Sequence, residues 1–309
     1  MANTAVSEAP AERPRVTIII PCFNGEPYLA EALASAVGQT YDNIEIVFVD
    51  DGSTDRSLEV ARDFPQVRIV SQPNAGSSAA RNTGLGVSEG EFVLFLDADD
   101  RLVADAVQSH LDGFAQRPDV SMVYGGVRII DRFGNLLEQL HWEVKSTSWR
   151  ELLVLLAPVP TQSMFRRDRL VAAGRFDPQV GLAQDFELLT RLARTSDLYC
   201  HGRLVAEYRR HPAQATMRVA ESLLSMLSII DKFLLTVEDK AEAAALRKGA
   251  HARWITFYGQ YMPYEVIRRL RAGEWGRAAR TVGTFIRFLP RTAVAASREI
   301  GSRIARLLS

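Results

Sequence analysis

Two acidic segments close otherwise apolar runs in this chain. Asp97-Ala98-Asp99-Asp100 follows Phe92-Val93-Leu94-Phe95-Leu96, and Asp50-Asp51 follows the run Ile44 to Val49, apolar except for Glu45. Alternate carboxylates at the end of a buried strand are hard oxygen ligands, suited to a Mg²⁺ or Mn²⁺ ion shared with phosphate oxygens. Such an ion stabilises a leaving nucleoside diphosphate as a Lewis acid. Arg81, on a helix that starts after Gly76, adds a guanidinium able to make charge-assisted bonds to the same phosphates. Asp185 stands ahead of the apolar stripe Phe186, Leu188, Leu189 and Leu192, where a carboxylate serves either as a helix cap or as a general base. Singly, Asp and Asn after strands make turns and caps. Four polar strand ends in succession, Pro21-Cys22-Phe23-Asn24-Gly25, Asp50-Asp51, Asn74-Ala75-Gly76 and Asp97 to Asp100, point instead to one ligand-binding edge.

Placing these residues on a common edge requires strands that run the same way. Val16 to Ile20 is a β-branched run stopped by Pro21, which cannot donate to a ladder. Pro27 and Gly38 bracket a helix whose apolar stripe is Leu29, Leu33, Ala36 and Val37. Strand Ile44 to Val49, a helix ending near Phe64, strand Val67 to Val70, a helix from about Ser77 to Leu85 and strand Phe92 to Leu96 continue the alternation. That order predicts an α/β fold with a mixed, mainly parallel central sheet and helices on both faces. After Asp100 the rhythm changes to strand Met122 to Ile130, turn Asp131-Arg132-Phe133-Gly134-Asn135 and strand Leu136 to Trp142. Past Met217 only helical patterns remain, with Leu223, Leu227, Ile230 and Leu234 on one face, so a helical C-terminal region is expected at 218–309.

Composition narrows the functional class. The 309 residues are 47% hydrophobic and 24% charged, as in a water-soluble globular protein. Lys plus Arg and Asp plus Glu both total 37, so the chain as a whole is no basic nucleic-acid binder. Cys22 and Cys200, the only cysteines, lack the spacing of a thiolate zinc site or a disulfide framework, which suits a reducing compartment. Residues 1–15 read as a disordered tail without a signal-peptide core, and no stretch is apolar and long enough to span a membrane, so a cytoplasmic location is expected. The charge is nonetheless uneven. Between Tyr264 and Ser309 ten Arg stand against three Glu, a net of +7, leaving −7 on the rest. In Trp275 to Leu289 the residues Trp275, Ala279, Val282, Ile286 and Leu289 share one helical face, with Arg277, Arg280 and Arg287 opposite and Pro290 ending the helix. That face either lies on the anionic inner surface of a membrane or packs on the catalytic domain or on the partner of a homodimer.

The motifs resemble the inverting family 2 glycosyltransferases of GT-A fold. Ile18 to Asn24, Ser35 with Gln39-Thr40, Glu45 to Asp55, Gly76 with Ala80-Arg81-Asn82, and Gly90-Glu91-Phe92 through Asp100 stand in that family's order, and the likeness spans 16–217. It implies that Pro21, Phe23 and Asn24 flank the nucleoside, Asp51 holds the base, Arg81 lies near the nucleotide, Asp97 and Ala98 lie by the ribose and diphosphate, and Asp99 binds Mn²⁺ or Mg²⁺. By the same resemblance Asp185 is the base that deprotonates the acceptor, with Gln184 where the family usually has Glu. His211, in Tyr208-Arg209-Arg210-His211, approaches the metal or diphosphate. The implied partners are a nucleotide-diphosphate sugar, UDP being the family-weighted choice, and a saccharide or lipid-linked saccharide acceptor, with no nucleic acid. The implied role is synthesis of bacterial cell-surface polysaccharide or glycoconjugate. Trp142 and Trp149 fall where the family varies its acceptor pocket, although core packing is the better explanation for either one. His110, His141, His201 and His251 read as structural histidines.

Three rivals fare differently. A nicotinamide dehydrogenase needs a glycine fingerprint after its first strand, and Gly84-Leu85-Gly86-Val87-Ser88-Glu89-Gly90 precedes a strand with the wrong spacing. A serine hydrolase needs a G-x-S-x-G elbow, which is missing. A catalytically degenerate scaffold of a polysaccharide-assembly complex is opposed by the retained Asp51, Asp99 and Asp185.

Overall fold

A computed structural model of the chain describes residues 13–288, apart from 141, 156, 212, 213, 215 and 216. The first half alternates as expected: β1 (Val16–Cys22), α1 (Glu26–Val37), β2 (Ile44–Asp50), α2 (Ser57–Arg62), β3 (Val67–Ser71), α3 (Ser77–Val87) and β4 (Phe92–Phe95). Then follow β5 (Arg101–Leu102), α4 (Ala106–Gln116), β6 (Met122–Ile130), β7 (Leu136–Gln139), β8 (Lys145–Thr147), α5 (Trp149–Leu152), β9 (Ser163–Arg166), α6 (Arg167–Ala172), α7 (Gln184–Leu192) and β10 (Leu198–Arg209). The helical region is α8 (Val219–Leu234), α9 (Lys240–Gly259), α10 (Met262–Arg271) and a further helix at 275–288.

The strands form one mixed sheet in the order β3-β2-β1-β4-β9-β6-β10-β5, with β7 on β6 and β8 on β10. β3, β2, β1 and β4 are mutually parallel, so their carboxyl ends share an edge. β9 then inserts antiparallel between β4 and β6, and β10 runs parallel to β6. β9 and β10 are additions to the sequence reading. Both are central strands buried on two faces, so neither shows the alternation that marks a half-exposed strand.

Period-two alternation divides the core. Ile18, Ile20, Ile46, Phe48, Leu94 and Leu96 face one cluster with α1, α2 and α4. Ile19, Val47, Val49, Val93 and Phe95 face the other, which takes in α3, α7, α8, α9 and α10. The C-terminal helices therefore share a core with α3 and α7. Among the described residues no helix is long and apolar enough to cross a membrane.

Several local expectations change. β1 continues through Pro21 to Cys22. The Ile19 carbonyl accepts from Leu96, so positions 19 and 21 face β4, and β4 has ended before Pro21 needs an N–H to give it. Ala32 joins the buried stripe of α1 and Val37, 36% exposed, leaves it, because a twelve-residue helix turns Val37 away from the sheet. Residues 13–15 are held rather than free: Arg13 pairs with Asp42, the Tyr41 hydroxyl donates to Pro14 (2.6 Å), and the Arg15 carbonyl accepts from Glu91. The second hairpin strand ends at Gln139, short of Trp142. Residues 1–12, His141, Leu289 and Pro290 lie outside the described residues.

Candidate active site

At the strand edge, side chains from one loop hold the backbone of the next. Asn24, at φ 55°, accepts at Oδ1 from the Thr54 and Asp55 amides (2.8 and 3.3 Å), while its own amide donates to Ser53 Oγ (3.0 Å). These bonds join the β1 and β2 loops. Phe23 beside it is 52% exposed, an apolar ring at the edge, and Pro21 is buried beneath. Asp51, 2% exposed, accepts from Gln72 Nε2 (2.7 Å), from the Ala75 amide (2.9 Å) and from the Gly76 amide (2.9 Å). It fixes the loop that leads into α3. Gly76 sits at φ +88°, a conformation that suits glycine, and open space lies where a Cβ would stand.

The acidic segment after β4 is anchored from three sides. Arg81, 5% exposed, donates to Asp97 (2.6 Å) with its guanidinium 5.3 Å from the Phe176 ring. The pair is part-buried, with Arg81 inside and Asp97 29% exposed, and it orients the Asp97 carboxylate. Asp99 Oδ2 lies 2.8 Å from His211 Nε2, and the His211 ring packs 4.9 Å from Tyr28. Asp100 points inward, accepting from the Thr161 hydroxyl (2.8 Å) and the Arg209 amide (2.9 Å). Burial, with Asp99 and Asp97 nearby, pushes its carboxyl well above the usual range.

Arg209 is the largest fully buried side chain. Its guanidinium donates to the Asp99 carbonyl (2.9 Å), pairs with Glu31 (2.8 Å) and stacks 4.7 Å from the Tyr28 ring. It thus ties α1, β10 and the acidic loop together. Sequence reasoning quoted Arg209 only as part of the His211 motif, and Glu31 and Thr161 gave no signal, because their partners lie far along the chain.

Asp99 and His211 stand as a carboxylate and an imidazole side by side. No group of three or more His, Cys, Asp or Glu able to hold an ion occurs among the described residues. The pair therefore fits a divalent cation that takes one or two protein ligands and fills its shell with phosphate and water oxygens, the habit of Mg²⁺ and of similar hard ions.

Asp185 is in the first turn of α7, where its carboxylate accepts from the Phe186 amide (2.8 Å). Burial raises its pKa, the Phe186 amide and Arg81 oppose that, and Asp97 adds to it, so the three charged groups feel one another. Preceding it, Gln184 donates to Ser77 Oγ (2.6 Å) and accepts from the Ser78 hydroxyl, locking α7 to the start of α3. A continuous path of bonds thus leads from Asp51 through Gly76, Ser77 and Gln184 to the residue beside Asp185. Tyr258 of α9 is a residue the sequence did not single out. Burial and the Asp185 charge raise its phenol pKa, which keeps it a hydroxyl. Trp254 packs on both Phe186 (5.7 Å) and Tyr258 (6.0 Å), bringing α9 against α7.

Other candidates are structural. Trp142 packs edge-on to Tyr124 (5.8 Å) and Trp149 to Phe233 (5.5 Å), so both serve the core. His110 and His201 bond each other (3.0 Å), and His251 bonds Asp231 (2.7 Å). Cys22 and Cys200 are free and buried.

Chondroitin synthase of Escherichia coli is 33% identical over 185 residues, which are 58% of this chain and 26% of that protein. Glycosyltransferase GlyA of Streptococcus pneumoniae is 46% identical over 99 residues, 31% of this chain and 14% of that protein. The chain thus spans about a quarter or less of these two relatives. Among solved structures, residues 1–349 of S. aureus TarS in complex with UDP-GlcNAc superpose with a TM-score of 0.66 at 18% identity, covering 91% of this chain and 83% of that one. The mannosyltransferase PcManGT of Pyrobaculum calidifontis, in complex with GDP-Man and Mn²⁺, gives 0.62 at 20% identity, covering 94% and 88%. These likenesses show a GT-A-like α/β fold with a helical C-terminal region. Residues 17–171, which carry every strand-end loop from β1 to β4, match the model of glycosyl transferase family 2, and the chain belongs to that family.

Proposed function

We propose that the protein transfers a sugar from a nucleotide-diphosphate sugar, UDP-linked by preference, to an acceptor hydroxyl with inversion at the anomeric carbon. The observation that carries this reading is the meeting of Arg81, Asp97 and Asp185 beside the Asp99–His211 pair, with the nucleotide-facing loops already bonded to one another. In this reading Phe23 and the Asn24 loop flank the nucleoside, Asp51 presents its remaining lone pairs to the base, and the Asp97–Ala98 segment lies by the ribose and diphosphate. Asp99 and His211 would hold a Mn²⁺ or Mg²⁺ ion, which supplies Lewis-acid stabilisation of the diphosphate. Asp185 takes the acceptor hydroxyl proton as that oxygen bonds to the anomeric carbon. The bond from that carbon to the diphosphate oxygen breaks, and its electron pair leaves with the nucleotide. The raised pKa of Asp185 makes it a stronger base than an exposed carboxylate. Solved relatives of this fold carry UDP-GlcNAc, or GDP-Man with Mn²⁺, and one sequence relative is a chondroitin synthase, which supports a nucleotide-sugar donor and a saccharide acceptor. A role in bacterial surface polysaccharide or glycoconjugate synthesis follows from that reading.

Melting the protein with UDP-, GDP- and dTDP-sugars, with and without Mn²⁺, tests the donor. Selective binding at about 100 times Kd adds about 2.7 kcal/mol. The gain should need Mn²⁺ and vanish in Asp99→Ala. Asp185→Asn should keep that gain while lowering transfer by about 10²- to 10⁴-fold, and NMR of the product should show the opposite anomeric configuration to the donor. Transfer undiminished in both variants would sink the assignment of Asp99 and Asp185, and biological activity retained in both with no transfer from any donor would favour a scaffold.

A further inference from the structure

The helix at 275–288 presents three different surfaces. At 3.6 residues per turn, Ala278, Thr281, Phe285 and Phe288 share one arc; the first two are buried and both Phe pack on the core. Trp275, Ala279, Val282 and Ile286 form a second arc, and among the described residues nothing covers it: Trp275 is 69% and Ile286 63% exposed. Arg277, Arg280 and Arg287 occupy the rest, with Arg280 and Arg287 nearer the apolar arc. The sequence foresaw the apolar face and the basic one but not that a third face does the packing. Exposed large apolar side chains are ordinarily scattered, and three on one helical arc mark an interaction surface.

We propose that this arc docks on an anionic lipid bilayer, Trp275, Val282 and Ile286 entering the headgroup boundary while the arginines pair with lipid phosphates. Charge selects this occupant. Residues 275–288 contain no Asp or Glu, so pairing with the same face of a second copy sets arginine against arginine, whereas an anionic surface neutralises each one. Glu274, the nearest acid, is engaged by Arg269 (3.1 Å) and Arg277 (3.3 Å). Beyond the helix, Arg291, Arg298, Arg303 and Arg306 against Glu299 alone extend the positive charge to the end of the sequence. A tryptophan at the rim suits the interface, where its ring sits at headgroup depth. The inference stands apart from the transferase reading, since it concerns where the chain sits and not what it catalyses.

Co-sedimentation of the full chain with vesicles tests it. The protein should pellet with phosphatidylcholine vesicles rich in phosphatidylglycerol and stay in solution with phosphatidylcholine alone, and the binding should weaken as salt is raised. Ile286→Glu should weaken it about tenfold or more, and Arg280→Glu with Arg287→Glu should remove the preference for anionic lipid. All three sites are exposed, so unchanged melting and unchanged nucleotide binding establish that the fold survives. Absence of pelleting with the anionic vesicles, or pelleting that Ile286→Glu leaves intact, overturns the proposal. A dimer seen by light scattering and abolished by Ile286→Glu overturns it in favour of a second copy.

Discussion

The two sides of the candidate site are assembled by different means. On the β1–β4 side, loops hold loops through side chain to backbone bonds between neighbours, such as Asn24 to Thr54 and Asp51 to Gly76, separated by 30 and 25 residues. On the β9–β10 and α7 side, the ties join residues far apart in sequence: Gln184 to Ser77 spans 107 residues, His211 to Asp99 spans 112 and Arg209 to Glu31 spans 178. The first kind of site is built as the chain alternates, since each strand delivers its loop to the same edge. The second exists only once the whole sheet has closed. The half held by local ties should thus tolerate changes that scatter the half held by distant ones.

Arg209→Met breaks the longest of those ties. Glu31, half-exposed, keeps Arg101 (2.9 Å), but the Asp99 carbonyl loses the guanidinium that anchors it, for which about 1.5–3 kcal/mol of stability is expected. Chemical denaturation measures it, and a loss under 1 kcal/mol would show that the two sides are less dependent on this residue than its burial implies. The second test is confined to one side. His110 and His201 are buried against each other, and burial, assisted by His201 for the first and Arg203 for the second, depresses both pKa values, that of His201 to about 4. The unfolded chain binds protons more readily, so the stability these groups confer is complete above about pH 6.5 and drains as pH falls towards 4, by at most about 3 kcal/mol for His201. His201→Gln should flatten that part of the stability profile. An unchanged slope would place acid sensitivity elsewhere. The smallest effect belongs to Gln184→Ala, which leaves the buried Ser78 hydroxyl without its partner while the exposed Ser77 hydroxyl turns to water, and should cost about 1 kcal/mol. Its sharper reading is kinetic: kcat should drop more than nucleotide affinity if Gln184 positions the acceptor side alone. An equal loss in both would mean that the loop held by Asp51 is displaced too, and the contrast between the sides would soften.

What could be read from the sequence follows the same division. β1 to β4, their helices and the polar edge were legible because hydrophobic runs, turn residues and the Asp97–Asp100 segment lie close together along the chain. The locations of Asp51, Asp97 and Asp99 at one edge follow directly from parallel strands. Arg81 was read as a cation for phosphates but not as the buried partner of Asp97, since a sequence does not tell which way a helix rolls. β9, β10, Thr161 and Glu31 stayed hidden because buried central strands lack a period and because their pairings depend on closure of the sheet. Tyr258 became visible only when the packing of α9 on α7 brought it to Asp185.

The core that Ile19, Phe95, Phe186 and Trp254 share has a consequence for how the molecule comes apart. No polar seam separates the sheet from α8 and α9, and Trp254 also donates to the Leu153 carbonyl (2.7 Å), so the two regions belong to one cooperative unit. The C-terminal helices behave as a wall of the sheet domain and not as a detachable accessory. Variation in such an architecture proceeds by repainting that wall, residue by residue, because removing it would strip the sheet of one face of its core.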